Sequence, residues 1–133
     1  MKKLSVIILL AAMMTVLPKP KDQKLTAMPT VKFTRAGKAS WYSKKSPGIN
    51  LHTANNEIFD DTAMTCAMWG VQFGSRIRVT NLANGKSIVV RVNDRGPHAR
   101  FVRKGRIIDL TKAAYKKLGA PESGLLSVEI EFL

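Results

Sequence analysis

The sequence predicts a mainly β protein: a small barrel of six short strands with one short helix, held in residues 37–133 and preceded by an N-terminal signal segment and a flexible linker. Three observations predict it. Apolar and polar residues alternate in "SRIRVTNL" and again in "LLSVEIEFL", the period of half-buried strands. Asn84-Gly85 stands between two strand-like runs, a strong hairpin signal. A single cysteine, Cys66, excludes an intramolecular disulfide framework and reads as a small buried hydrophobe.

The elements follow in chain order. Lys2 and Lys3 precede an uncharged, mostly apolar run from Leu4 to Leu17. Its length fits the roughly 7–15 residues of a signal peptide better than the roughly 20 of a membrane span. Residues 1–17 are therefore read as a signal peptide or N-terminal anchor, which places the protein outside the cytoplasm, in the periplasm, the cell envelope or beyond. Residues 18–36, rich in Pro, Lys and Thr, read as a basic flexible linker. "GKASWY" is the first strand candidate, "SKKSPGIN" a loop, and "TAMTCAMW" a second strand. "SRIRVTNL" and "SIVVRVND" form the hairpin arms, and "GRIIDL" is a further strand. "TKAAYKKLG" reads as the helix, capped by Asp109 or Thr111 and ended by Gly119. "LLSVEIEFL" closes the chain, with Val128, Ile130 and Phe132 alternating against Glu129 and Glu131.

The net charge is +13, and both parts share it: residues 1–36 carry 7 Lys/Arg against 1 acid, residues 37–133 carry 15 against 8. Such a surface seeks polyanions. Export argues against nucleic acid, as does the shortage of aromatics for base stacking. A peripheral association with an anionic envelope surface is the remaining expectation. The segment "RGPHARFVRKGR" alone holds five Lys or Arg.

Catalytic sets can be eliminated in turn. His52 and His98 show no metal-ligand spacing, so no metal and no cofactor is expected, and both read as loop histidines. There is no nucleophile elbow and no phosphate-cradling Gly-rich loop. Carboxylates remain. Glu129 and Glu131 read as solvated, Asp60, Asp61 and Glu122 as turn or loop residues, and Asp109 as a helix cap. Two lie in motif-like settings: Glu57 in "HTANNEIFD" and Asp94 in "VNDRGP". For Asp94 a salt bridge with Arg95, or an Asx-turn closing the strand, is an equally open reading.

"GKASWY", "HTANNEIFD", "FGSRIRVTNLANGKSIVVRVNDRGP" and "GRIIDLTKAAYKKLG" together resemble the rare lipoprotein A (RlpA-like) family across residues 37–133. The resemblance implies a double-psi β-barrel. It implies a lytic transglycosylase that cleaves peptidoglycan glycan strands, especially those stripped of peptide, to leave 1,6-anhydro-N-acetylmuramic acid ends. Such a reaction needs an acid to protonate the glycosidic oxygen and a base for the substrate's C6 hydroxyl. The resemblance puts Asp94 and Glu57 at the catalytic positions, with Asn93, Arg95, Thr53, Asn55 and Tyr42 as substrate-binding residues. As the acid, Asp94 would need a raised pKa, with Arg95 turned away from it. Trp41 and Tyr42 are candidates for stacking on sugar rings or for the core.

The chain departs from the family pattern at two positions. Met68 stands where the family carries a histidine, and Asn56 replaces the glycine of Thr-Ala-Asn-Gly-Glu. Asn is among the residues that best tolerate the left-handed backbone, so the second change is mild. A second reading follows from Met68 and the basic surface: an expansin-like module that grips or loosens glycan without cutting it.

Overall fold

The computed structural model describes residues 15–19 and 30–133. Residues 15–19 hold no regular secondary structure. Most of the expected signal segment and residues 20–29 of the expected linker lie outside the described residues. Among the described residues no helix is long and apolar enough to cross a membrane.

Six strands close into a barrel: β1 (Thr34–Tyr42), β2 (Thr65–Ala67), β3 (Arg76–Asn81), β4 (Ser87–Asp94), β5 (Arg106–Thr111) and β6 (Leu126–Phe132). Their order around the barrel is β1-β5-β2-β4-β3-β6. Pairs β1/β5 and β2/β4 are parallel, and the other four are antiparallel. Closure leaves no strand edge open. This is the double-psi β-barrel.

Strand β1 begins three residues before the expected boundary. Thr34–Ala36 are exposed and read locally as linker, yet they pair with Glu131–Glu129 of β6, almost a hundred residues away. The hairpin forms as expected, but with a five-residue loop, 82–86, in place of a two-residue turn. Gly85 takes the left-handed backbone at φ +75°. Asn84 is drawn instead to the helix: its Nδ2 donates to the Leu118 carbonyl at 2.9 Å, beside Asn81 Nδ2 on the same oxygen. The helix C-terminus has free carbonyls to satisfy, and the turn supplies the donors.

The expected helix is α2 (Lys112–Leu118). Thr111 caps it, its side chain accepting from Ala114 N, and Asp109 takes no part. A second helical turn, α1 (Ala99–Val102), lies in the basic segment read as loop, and a 3-10 turn spans Pro121–Ser123. The expectation of one helix is corrected accordingly. Local spacing of apolar residues gives no sign of α1, which buries none of its own residues.

Alternating residues of β3, β4, β5 and β6 fill the barrel: Ile77 and Val79, Val90 and Val92, Ile108 and Leu110, Val128 and Ile130. Ala114, Tyr115 and Leu118 of α2 join this core. Cys66 is fully buried within it, and burial pushes its thiol up to about 12, so it is a core residue. Two long connections each cross over one strand of the barrel, β5 in the first and β2 in the second. Residues 43–64 lead from β1 to β2, and residues 95–105 from β4 to β5. These two crossovers wall the site.

Candidate active site

A groove of about 630 Å³ opens between the two crossovers. Its floor is built from Tyr42, Ala67 and Asp94, the last residues of β1, β2 and β4, and from Asp109 within β5. Ala67 lies in the middle, paired with Asp94 of β4 on one side and Asp109 of β5 on the other. Cross-strand partners share a face, so both carboxylates reach the groove from backbones about 10 Å apart, two strand spacings. The register is not simple. On β2/β4, Cys66 faces Val92 while Ala67 faces Asp94, so Asn93 is an inserted bulge residue. Without it, Asn93 would stand level with Ala67. Bulges commonly re-aim a side chain beside a site.

Asp94 Oδ1 accepts the backbone N–H of Ala54 at 2.9 Å and of Arg95 at 2.8 Å. Its Oδ2 faces only the Tyr42 hydroxyl, at 3.5 Å. The salt bridge with Arg95, one of the readings left open for Asp94, does not form. Arg95 lines the groove, but its guanidinium lies over Phe73, 3.8 Å from the ring centroid, and donates to the Met68 carbonyl. It is turned from Asp94, as an acid at that position would require.

Asp109 was expected to cap the helix, and the structure corrects that reading. Its Oδ1 accepts a short hydrogen bond from Ser40 Oγ on β1. Burial pushes its carboxyl above the usual aspartate range. The Asp94 charge adds to the rise, while the Ser40 hydrogen bond and the Arg106 charge only partly offset it. Gly96 makes room for it: a Cβ there would sit 3.2 Å from Asp109 Oδ2 and 3.3 Å from Ala67 Cβ. The sequence masked Asp109 because a cap was the nearer explanation and Ser40 is 69 residues away.

The family resemblance gave Glu57 a catalytic position. It does not line the groove. Arg91 binds it through both guanidinium arms, at 2.6 and 2.9 Å, while Asn93 Nδ2 and Asn55 Nδ2 donate at 3.1 and 2.9 Å. These bonds, Arg91 first, hold its carboxyl down to about 2. Asn55 and Asn93 thus stand behind the groove, whereas Thr53 lines it. The Thr53–Glu57 loop is closed by Thr53 N donating to Glu57 O, with Asn56 at φ +69°. Asn56 therefore holds the left-handed backbone foreseen for the glycine it replaces. The loop carries Ala54 to Asp94.

The aromatic candidates separate. Trp41 points to α2, donating from Nε1 to the Pro121 carbonyl and packing against the core. Tyr42, its neighbour on the opposite face, enters the groove, but Phe59 stacks on its ring at 4.7 Å. Burial, then Asp94, drives the Tyr42 hydroxyl pKa upward, so it remains a donor. The half-exposed ring in the groove is Trp69, pinned by Nε1 to the Pro97 carbonyl at 2.7 Å. Its neighbour Met68 is fully buried in the core and does not line the groove. His52 and His98, read as loop histidines, both line it.

Fold and site define a double-psi barrel with a carboxylate-floored groove. The family described as "Lytic transglycolase" matches residues 34–130, and the chain belongs to that family, in its RlpA-like group. It is 50% identical over 101 residues to the endolytic peptidoglycan transglycosylase RlpA of Vibrio cholerae serotype O1, covering 76% of this chain and 36% of that one. It is 48% identical over 99 residues to the protein of the same name from Pseudomonas aeruginosa strain UCBPP-PA14, covering 74% and 27%. The chain thus spans about a third of the length of the curated relatives it matches. Among solved structures, Streptomyces papain inhibitor superposes with a TM-score of 0.60 at 22% identity, covering 76% of this chain and 94% of the inhibitor. The apo expansin of Clavibacter michiganensis gives 0.56 at 21% identity, covering 76% and 50%. At those identities the likeness is one of fold.

Proposed function

We propose that this chain is a lytic transglycosylase of the bacterial envelope, cutting peptidoglycan glycan strands to leave 1,6-anhydro-N-acetylmuramic acid ends. The observation that carries the reading is the pair of carboxylates flanking Ala67, one of them, Asp109, pushed by burial above the usual aspartate range. Family membership and the names of the relatives support it.

Asp109 acts as the acid. It gives its proton to the glycosidic oxygen as the bond from C1 of N-acetylmuramic acid breaks, and the departing strand leaves with a free hydroxyl. The C6 hydroxyl of the same muramic residue bonds to C1, closing the anhydro ring. Its proton passes to Asp94 Oδ2, and solvent returns the balance to Asp109. No water is consumed. Tyr42, with its hydroxyl near Asp94 and its proton retained, donates to the sugar. Thr53 and Arg95 line the path of the strand.

Glu57 is a positioning residue. Its ion pair with Arg91 fixes the loop whose Ala54 N–H orients Asp94. Asn55 and Asn93 serve the same scaffold.

Peptide-free glycan strands incubated with the full chain should yield anhydro-muramyl ends by mass spectrometry. The Asp109→Asn variant should yield almost none. Equal product from both, or none from the wild type, would overturn the assignment.

A further inference from the structure

One wall of the groove carries chemistry that the cleavage step does not use. The α1 turn sets Phe101 and Arg100 on the rim, and the first residue of β5 brings Arg106 to the same ring. The Arg106 guanidinium carbon lies 4.1 Å from the Phe101 centroid, and that of Arg100 lies 4.6 Å from it. Two cations on one ring repel each other, yet among the described residues neither forms a salt bridge or a side-chain hydrogen bond. The ring holds each guanidinium by cation–π attraction, which spends none of its N–H donors. A planar fork of donors, already fixed in place, fits an oxyanion with two coplanar oxygens and loses little freedom on binding it.

We propose that Arg100 and Arg106, mounted on Phe101, form a carboxylate-binding subsite of the groove, and that its ligand is the free lactyl carboxylate of a muramic acid residue. This rests on the reading of the groove as a peptidoglycan glycan site. The groove also contains the reacting carboxyls, and the Arg106 charge is felt at Asp109, so the subsite adjoins the bond to be cut. A sugar ring bound over Asp94 and Asp109 can therefore present an acidic substituent to the guanidinium pair. A muramic acid amidated at that carboxyl brings neither the charge nor the second oxygen. The subsite thus reads which muramic residues carry a free acid. A glycan-borne phosphate shares this chemistry and can take the same fork, so the competition arm below separates the two sources.

The test uses the full chain carrying Asp109→Asn, so that strands stay intact. Binding is measured by Trp fluorescence to peptide-free strands with free lactyl carboxylates and to the same strands converted to methylamides. The free-acid strands should bind about tenfold tighter or more, the size of one lost charge-assisted pair, and the gap should narrow with salt. Adding R100Q and R106Q should make the two strands bind equally. R100K with R106K should regain part of the difference, since charge returns without the fork. Equal binding of both strands to the starting protein, or a gap that survives R100Q and R106Q, would overturn the subsite. So would inorganic phosphate competing with the methylamide strands as well as with the free acids. Cleavage is scored separately on wild-type chain: failure to form anhydro ends removes the enzymatic reading while the binding difference stands, and the reverse result removes only the subsite.

Discussion

Glu57 and Asp109 are both carboxylates near an arginine, and the barrel treats them in opposite ways. Glu57 accepts four side-chain hydrogen bonds and sits far below its ordinary pKa, out of the groove. Asp109 accepts one, from Ser40, and burial holds it above its ordinary pKa, on the groove floor. A saturated carboxylate is a strut, because every lone pair is spoken for and its charge is fixed. A buried, under-bonded one can exchange a proton. The number and kind of partners separate the two jobs better than proximity to a motif does.

Four experiments press on that contrast. The largest effect is expected from Asp109→Asn, which keeps the volume but cannot give up a proton. Product formation should fall by about 10²- to 10⁴-fold, while the thermal midpoint stays level or rises. Turnover near that of the wild type would remove burial as the mark of the acid.

The second is a pH profile of rate and stability. The rate should decline as pH rises through the raised Asp109 pKa, because the acid is lost. Stability should show two opposed limbs. The Asp109 contribution is complete below the ordinary aspartate pKa and is lost as pH rises through its folded value. The Glu57 contribution is present above about 4.5 and is lost as pH falls towards about 2. Urea titrations across pH should show the Asp109→Asn variant flattening the upper limb and Glu57→Gln the acid limb.

The third is Glu57→Gln itself. Solvent screening at this partly exposed pair should hold the loss to about 1 kcal/mol. Turnover should drop severalfold with KM little changed, through slackening of the Ala54–Asp94 bond. Denaturant midpoints should partly recover when Arg91→Gln is added, since the stranded guanidinium is then removed. The smallest effect belongs to Arg78→Gln, whose partner Glu131 lies on the solvent side of β6. Its melting shift should be smaller than that of Glu57→Gln, with no change in rate.

Local pattern made much of the fold readable. Ile77 and Val79 against Arg76 and Arg78 declared a half-buried strand, and a helical run with Asp109 or Thr111 before it declared the helix, of which Thr111 is the cap. The "VNDRGP" motif also singled out Asp94 at the tip of an apolar strand, and that residue lines the groove. The unread parts depend on partners distant in the chain. Thr34–Ala36 become strand only because β6 pairs with them, Asp109 meets Ser40 across a parallel pair, and Glu57 meets Arg91 34 residues on. The Asn93 bulge leaves no local trace either. A sequence pattern reports what each residue prefers beside its neighbours. The groove is made of what the barrel brings together.

Ala67 bears a consequence of its own. Because both carboxylates proposed to react hang from strands hydrogen-bonded to one short strand, the main chain gauges the span between them. Loops on either wall can be rebuilt without resetting that gauge. Ala67 is nearly buried and packs beside Gly96, so enlarging it to Val would crowd the turn that gives Asp109 its room. Carboxylate spacing and groove access are therefore separate dials: strand pairing sets the first, and the two walls set the second.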